Sequence, residues 1–467
     1  MTIEGDERPG QLPSTSPDNA QQSPKQMPVN RGEIKTPDSK PIDVKEQEKH
    51  KQVSREKGLS LFAAIFFVTG DVVGAGIVAL PYAMKLANYY GIPMFVISSL
   101  VMCYCGFLLA KACNHILGTE VDREEMRAPY ATLGERACGK ATRHVVTFTL
   151  NISLVLTCIV FILLAGEVFS VLIDLPLEGV SHRNKLRIWF AICGGVLLPL
   201  TLFGTPKDFW GIALLASLTS GVAVTLITTN LVWVTKTGLQ RPTPPPTNFE
   251  KIVASFGTVL FGFGGVTIFP TIQNDLKEPK DFHIAVVIGY LIVTAIYIGI
   301  PLASYFVLGD LIGEDILTTL TALPIFAESK VFKCLVIVTQ GLICGHVLCA
   351  FILNINPVYQ QLEGHFGIPT KFCWQRVVNR AFMMVIIVAV AVVVPSFGPV
   401  LSLVGGSFQG LLAIIFPVVF YSRLHDISCF QSLFFSAIIL IATVGSFGNA
   451  YVEIKNVVDV VLDRYKA

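Results

Sequence analysis

The chain is expected to be an all-α integral membrane protein with about eleven transmembrane helices. Three observations point there. Of its 467 residues 52% are hydrophobic and only 15% charged, with a mean hydropathy of +0.63, whereas soluble domains carry about 25% charged residues. The apolar residues gather in runs long enough to cross hydrocarbon, which takes roughly 20 residues in a helix. Two of these runs are interrupted by glycine clusters, at Gly74-Ala75-Gly76 and at Phe263-Gly264-Gly265.

Residues 1–57 are rich in Pro, Ser, Gln, Lys and Glu. Such a segment buries too little apolar surface to offset its ordering entropy, so a disordered cytoplasmic tail is expected. The transmembrane domain is expected over 58–456, followed by a short tail at 457–467. Its spans read 59–86, 91–116, 144–171, 187–205, 209–235, 252–272, 282–308, 331–356, 377–395, 399–421 and 428–452. The last-but-two and last-but-one spans separate only if Pro395-Ser396-Phe397-Gly398-Pro399 turns the chain, as closely spaced prolines do. Between the second and third spans, Tyr130–Ala137 is read as a short surface helix. Lysine and arginine cluster beside the membrane at 45–57 and 111–143, which puts the N-terminus in the cytoplasm and the C-terminus outside it.

The formal charge of +2 gives no electrostatic footprint for nucleic acid. The 11 cysteines lie mostly in apolar runs or basic loops and show no zinc-type spacing, so no metal is assigned. No nucleophile elbow or phosphate loop is found, so the chain is not read as an enzyme. The expected partners are the lipid bilayer and a small-molecule ligand, with no cofactor.

The interrupted helices carry the functional signal. The first span contains Gly70-Asp71-Val72-Val73-Gly74-Ala75-Gly76-Ile77 before Pro81, and the sixth contains Gly257, Gly262-Phe263-Gly264-Gly265 and Pro270. Unwound backbone is tolerated at membrane depth only where it lines a cavity or is satisfied by protein. A helix broken there points freed N–H groups, at a positive half-helix end, toward an anion such as a carboxylate. Breaks that open each of two five-helix halves mark an inverted-repeat transporter. Close helix packing through small residues is the competing reading for either cluster alone.

Three ionisable residues within spans stand out. Asp71 lies three residues before Gly74 and is read as a proton carrier or a counter-charge to a substrate amine, against a structural cap of the broken helix. His346 in the eighth span titrates near neutral pH, against the commoner role of a satisfied packing histidine. Glu167, near the end of the third span, fits either a gating carboxylate or a solvated helix end.

At these residues the sequence resembles a known family. Gly74-Ala75-Gly76-Ile77-Val78-Ala79-Leu80-Pro81-Tyr82-Ala83 resembles the first-helix signature of the amino acid/auxin permease (amino acid transporter transmembrane) family. The likeness continues in order through Tyr130–Gly139, Leu163–Glu167, Pro199-Leu200 to Lys207-Asp208, Phe263-Gly264-Gly265 with Gln273-Asn274-Asp275, and Leu403-Val404-Gly405-Gly406. It implies a LeuT-like fold, a 5+5 inverted repeat plus one C-terminal helix. It also implies secondary transport of amino acids, with the substrate held by Gly74, Ala75, Gly76, Phe263, Gly264 and Gly265.

The chain departs from the family at informative places. A glutamate usual in helix six is replaced by Gly264, and Gly70 stands where sodium-coupled neutral members have asparagine. Their helix-eight threonine is also missing, with Cys349-Ala350 in that neighbourhood. These losses favour H+ over Na+ as coupling ion, with Asp71 and His346 as candidates. The leading expectation is a proton-coupled transporter of small neutral amino acids. The alternatives are a sodium-coupled symporter and a non-transporting amino acid sensor. Plasma membrane, endolysosomal membrane and the oligomeric state are left open by the sequence.

Overall fold

The structure is a computed structural model that describes residues 58–117, 128–173, 176–177, 179–202, 209–239, 242–244, 246–369, 373–394 and 396–466. The expected tail at 1–57, Lys207-Asp208 and Pro395 lie outside the described residues.

The chain opens with α1 (Leu61–Val72), whose first turn is closed by Ser60 Oγ accepting the Ala63 N–H at 3.2 Å. A break follows, then α2 (Gly76–Ala87) and, after one turn of 3-10 helix at Asn88–Tyr90, α3 (Gly91–Leu117). The short α4 (Pro129–Cys138) leads into α5 (Lys140–Leu172), α6 (His182–Leu202) and α7 (Phe209–Thr235). The second half begins with α8 (Phe249–Gly262), a break, and α9 (Phe269–Asn274). It continues through α10 (Phe282–Leu308), the small helices α11 (Ile316–Ala322) and α12 (Pro324–Glu328), α13 (Lys330–His365) and α14 (Trp374–Val393). The tenth span runs as α15 (Phe397–Leu403), a π-helical stretch (Val404–Ile415) and α16 (Phe416–Leu424). The last helix is α17 (Cys429–Lys466).

Ten helical runs among the described residues are long and apolar enough to cross a membrane. One of them, the 41-residue run Gly76–Ile116, holds both the second half of the first expected span and all of the second. Resolved at the Asn88–Tyr90 turn, and with α1 counted as the other half of the broken first helix, they make the eleven expected spans. Apolar side chains such as Phe62, Leu100, Leu291, Phe382, Leu433 and Phe447 are exposed on the outside of the bundle. This is the surface of a protein whose solvent is lipid.

Two span ends and one exposure depart most from the sequence reading. The eighth span, expected to stop at 356, continues as helix through Pro357 to His365. Proline costs one backbone hydrogen bond, a loss that packed membrane helices tolerate. The eleventh, expected to end at 452, runs on to Lys466, through the segment assigned to a C-terminal tail. The helix expected on the surface near 130–137 exists as α4, but its Tyr130–Gly134 face is buried, and Tyr130 donates its hydroxyl to the Leu412 carbonyl in the π-helical stretch. Beyond that face, Arg143 bonds Glu135 at 2.6 Å and holds its carboxyl below the usual carboxylate range.

The two broken helices pack on each other at the centre. α2 lies along α8, with the Ser255 hydroxyl donating to the Ala83 carbonyl at 2.7 Å. α10 flanks α1, while α7 and α5 pack on α13. At one end of the bundle, Leu59 N–H bonds the Asp275 carbonyl at 2.8 Å and Lys277 N–H bonds the Leu59 carbonyl at 3.0 Å. This single bridge ties the chain entering α1 to the chain leaving α9. Near the far end of α2, Lys85 pairs with Asp310 at 2.9 Å and donates to the Asp310 and Ile312 carbonyls at 2.8 Å each.

Candidate substrate site at the broken helices

The first break lies between Val72 and Gly76. Val73 N–H still bonds the Thr69 carbonyl at 2.8 Å, but its ψ of 70° takes the chain out of the helix, and Gly74 N–H folds back to Val72 O at 2.8 Å. Breaking a helix strands carbonyls on one side and N–H groups on the other. The stranded carbonyls find hydroxyls on neighbouring helices: Tyr297 donates to Val72 O at 2.5 Å, and Ser220 donates to Val73 O. At the other side, the first N–H groups of α2 form a positive helix end beside Ala75 and Gly76.

The second break is built the same way. α8 stops at Gly262, the Phe263 carbonyl accepts the Tyr290 hydroxyl at 3.0 Å, and Gly264 N–H turns back to Phe261 O at 3.0 Å. Gly265 then takes φ +125°, a region that side-chain-bearing residues rarely enter. A 3-10 turn at Val266–Ile268 leads into α9, where Pro270 sits in the first turn and loses no needed donor.

The structure brings the sequence-predicted residues of the two breaks together. A Cβ added to Gly76 would lie 2.6 Å from the Cα of Gly262, so α2 and α8 touch backbone to backbone. A Cβ on Gly265 would lie 2.6 Å from Asp71 Oδ2, and one on Gly74 would lie 3.0 Å from His346 Nε2. Asp71 and His346 thus flank the same pair of breaks from α1 and α13. Phe263 is fully buried, with its ring 5.2 Å from that of Tyr297 in an edge-on contact.

Asp71 is exposed, whereas the next nine residues, through Leu80, are all buried. Its Oδ2 is turned to Gly265 of the second break. His346 is 4% exposed, and its Nδ1 lies 2.9 Å from the Ala216 carbonyl and 3.3 Å from Ser220 Oγ. A carbonyl can only accept, so Nδ1 carries the proton in the neutral ring and the lone pair of Nε2 faces Gly74. The chemistry on offer is an N–H-lined positive end for a carboxylate, a carboxylate for an ammonium, and an imidazole nitrogen able to take up a proton.

Sequence reasoning passed over Ser220, Tyr290 and Tyr297, whose hydroxyls close the broken ends. It also passed over Gln409, whose carboxamide packs on Gly264 with Cδ 3.0 Å and Nε2 3.1 Å from a Cβ built there. The signal for Gln409 was present, as an amide inside an apolar span bracketed by Gly405, Gly406 and Gly410. Elsewhere, a crevice of about 470 Å³ between α7 and α10 is lined by Val224, Leu231, Ile296 and Ile300. It is apolar and contains none of the residues above.

Residues 57–455 match the sequence model of the family described as transmembrane amino acid transporter protein. The chain belongs to this family. Among its relatives are two proteins of Arabidopsis thaliana. Amino acid transporter AVT1D is 25% identical over 363 residues, covering 76% of this chain and 62% of that protein. Amino acid transporter AVT1C is 22% identical over 453 residues, covering 93% and 78% respectively. The match to AVT1D, like that to AVT1E at 64%, spans less than two thirds of the relative's own length. Among solved structures, the crystal structure of MhsT in complex with L-phenylalanine superposes with a TM-score of 0.56 at 16% identity, covering 84% of this chain and 99% of MhsT. The fold is therefore LeuT-like, and the protein is a multi-pass membrane member of a transporter family rather than an enzyme.

Proposed function

We propose that the protein is a secondary active transporter of small neutral amino acids, coupled to protons and working by alternating access around its two broken helices. The observation that carries this reading is the apposition of the breaks, with an N–H-bearing helix end at Gly76 and the Asp71 carboxylate against Gly265. These two poles match the two charges common to every amino acid. The tight meeting of Gly76 and Gly262 leaves little room beside the backbone, which favours a small ligand.

Protons are the coupling ion in this reading. A Cβ on Gly70 would lie 2.2 Å from Ser217 Oγ, so the asparagine of sodium-coupled relatives has no space at this position unless Ser217 moves. Asp71 and His346, which can each carry a proton, stand on either side of the break instead. We place the N-terminus in the cytoplasm and the C-terminus across the membrane, in keeping with eleven crossings and the basic loops beside the second and third spans.

Uptake of a labelled amino acid panel into proteoliposomes, under separate proton and sodium gradients, tests the reading. Saturable uptake of small neutral amino acids driven by an inward proton gradient is the expected result. Saturable binding without flux under either gradient would favour a sensor, and a sodium requirement would reject proton coupling. Asp71→Asn keeps the shape and removes the titrating carboxyl, so proton-driven uptake is expected to fall to the level of empty liposomes with expression intact. A variant with wild-type pH dependence would take Asp71 out of the coupling path.

A further inference from the structure

The tenth span brings a polar group to the same breaks. Gln409 sits in the π-helical stretch Val404–Ile415, a geometry that recurs at functional sites. It is 9% exposed, and its carboxamide rests on Gly264 with Nε2 the nearer polar atom. Its place is fixed by close packing one turn earlier, where a Cβ on Gly405 would lie 2.0 Å from the Gly257 carbonyl oxygen and 2.5 Å from Phe261 N. The backbone that carries Gln409 is thereby held close against α8. The Gln409 Oε1 is buried and has no hydrogen-bond partner among the described residues. An acceptor left in that condition is disfavoured, and a donor that reaches it gains a bond that water was not supplying.

The surroundings say what kind of donor fits. The N–H end of α2 draws a carboxylate and Asp71 draws an ammonium, so the backbone charges of an amino acid are answered without Gln409. The carboxamide lies at Gly264, next to the Gly265 that Asp71 touches. It is the polar group left over for the ligand's side chain. It is uncharged and therefore gives no counter-ion to a lysine or arginine side chain. Its oxygen distinguishes a hydroxyl or amide donor from a methyl group.

We infer that Gln409 is a specificity-determining residue of the substrate site, whose carboxamide hydrogen-bonds the hydroxyl or carboxamide side chain of a neutral amino acid. The inference rests on the amino acid reading given above. Glycine at 264 belongs to the same arrangement, because any larger residue would occupy the space that Gln409 fills.

The test measures equilibrium binding of serine, threonine, asparagine, alanine, valine and lysine to the purified full-length protein. It compares wild type with Gln409→Leu and Gln409→Glu. Wild type is expected to bind serine and asparagine roughly tenfold more tightly than alanine and valine, the scale of one hydrogen bond to an otherwise unpaired group. Gln409→Leu should bring that ratio to about one, whatever it does to the affinity for amino acids as a class. Gln409→Glu should admit lysine, and it keeps the question answerable if the leucine variant does not fold. Equal serine-to-alanine ratios in wild type and the variants, with no lysine binding gained, would overturn the role of Gln409. Absence of any amino acid binding by wild type would instead overturn the transporter reading and this inference with it.

Discussion

Gly76→Ala is expected to lower the melting temperature of the purified protein sharply and to reduce substrate binding. The added methyl would lie 2.6 Å from the Cα of Gly262. The obstacle is backbone, which cannot rotate away as a side-chain tip can. Overpacking in a well-packed interior typically costs about 1–3 kcal/mol, and a backbone obstacle puts this case at the upper end. Gly76→Leu should abolish binding altogether, because it would wedge α2 from α8 at the point where the breaks meet. Gly195→Ala and Gly341→Ala serve as controls, since nothing lies within 4 Å of a Cβ at either position. Both should be neutral or slightly stabilising, because alanine is favoured over glycine in a helix by roughly 0.5–1 kcal/mol. A Gly76→Ala variant that melts with the controls would show that the two broken helices do not touch here.

Glu363→Gln is expected to be the most damaging single change outside the breaks. Arg380 on α14 is fully buried, and its Nε lies 2.7 Å from Glu363 Oε1 on α13. Arg376 reaches the same oxygen at 3.2 Å. The Arg380 guanidinium also donates to the Thr201 carbonyl on α6 and lies 5.0 Å from the centre of the Tyr359 ring. The cluster thus pins three helices at one end of the bundle. Removing one member of a buried pair typically costs about 3–5 kcal/mol, because the charge left behind has no partner. Gln keeps the shape and removes the charge, so the loss should appear as a large fall in melting temperature in detergent. The double variant Glu363→Gln, Arg380→Met should recover part of that loss. If single and double variants melt alike, the pair does not act as an electrostatic unit.

Much of this architecture was legible because the membrane makes the sequence signal coarse and strong. A helix that must fill hydrocarbon reads as an uninterrupted apolar run, and the expected spans 209–235 and 282–308 coincide with α7 and α10. The breaks were legible for the opposite reason. Glycines beside an acid at mid-span are out of place in lipid, and the chain leaves the helix between Val72 and Gly76 and again after Gly262. Pro357 misled because its penalty is local, and a packed helix can absorb it. Lys466 misled because helix persists past the last apolar residues, where hydropathy falls silent.

The neighbours of each break were not legible. Hydropathy says that Ser220, Tyr290, Tyr297 and Gln409 lie in spans, but not which helices those spans face. The hydroxyls that close the first broken end come from α7 and α10, more than a hundred residues away in sequence from the carbonyls they reach. Pairings of that kind are set by three-dimensional packing, to which a one-dimensional periodicity is blind. The placement of Asp71 and His346 against the two breaks belongs to the same class. Each was recognisable alone as an ionisable group in lipid, and only the fold sets them on the same breaks.

The bridge at Leu59 and Leu276 has a consequence for how firmly the entry to α1 and the exit of α9 stay joined. Two backbone hydrogen bonds hold it, and each is worth about 0.5–1.5 kcal/mol net, so together they bias the joined form by about 1–3 kcal/mol. That is a population ratio of roughly 5 to 150. Under the alternating access proposed above, a bias of this size would keep the two joined most of the time, and a ligand preferring the parted form by a similar margin would reverse it. The fastening behaves as a thermal latch, released by differences in binding free energy and not by any chemical step.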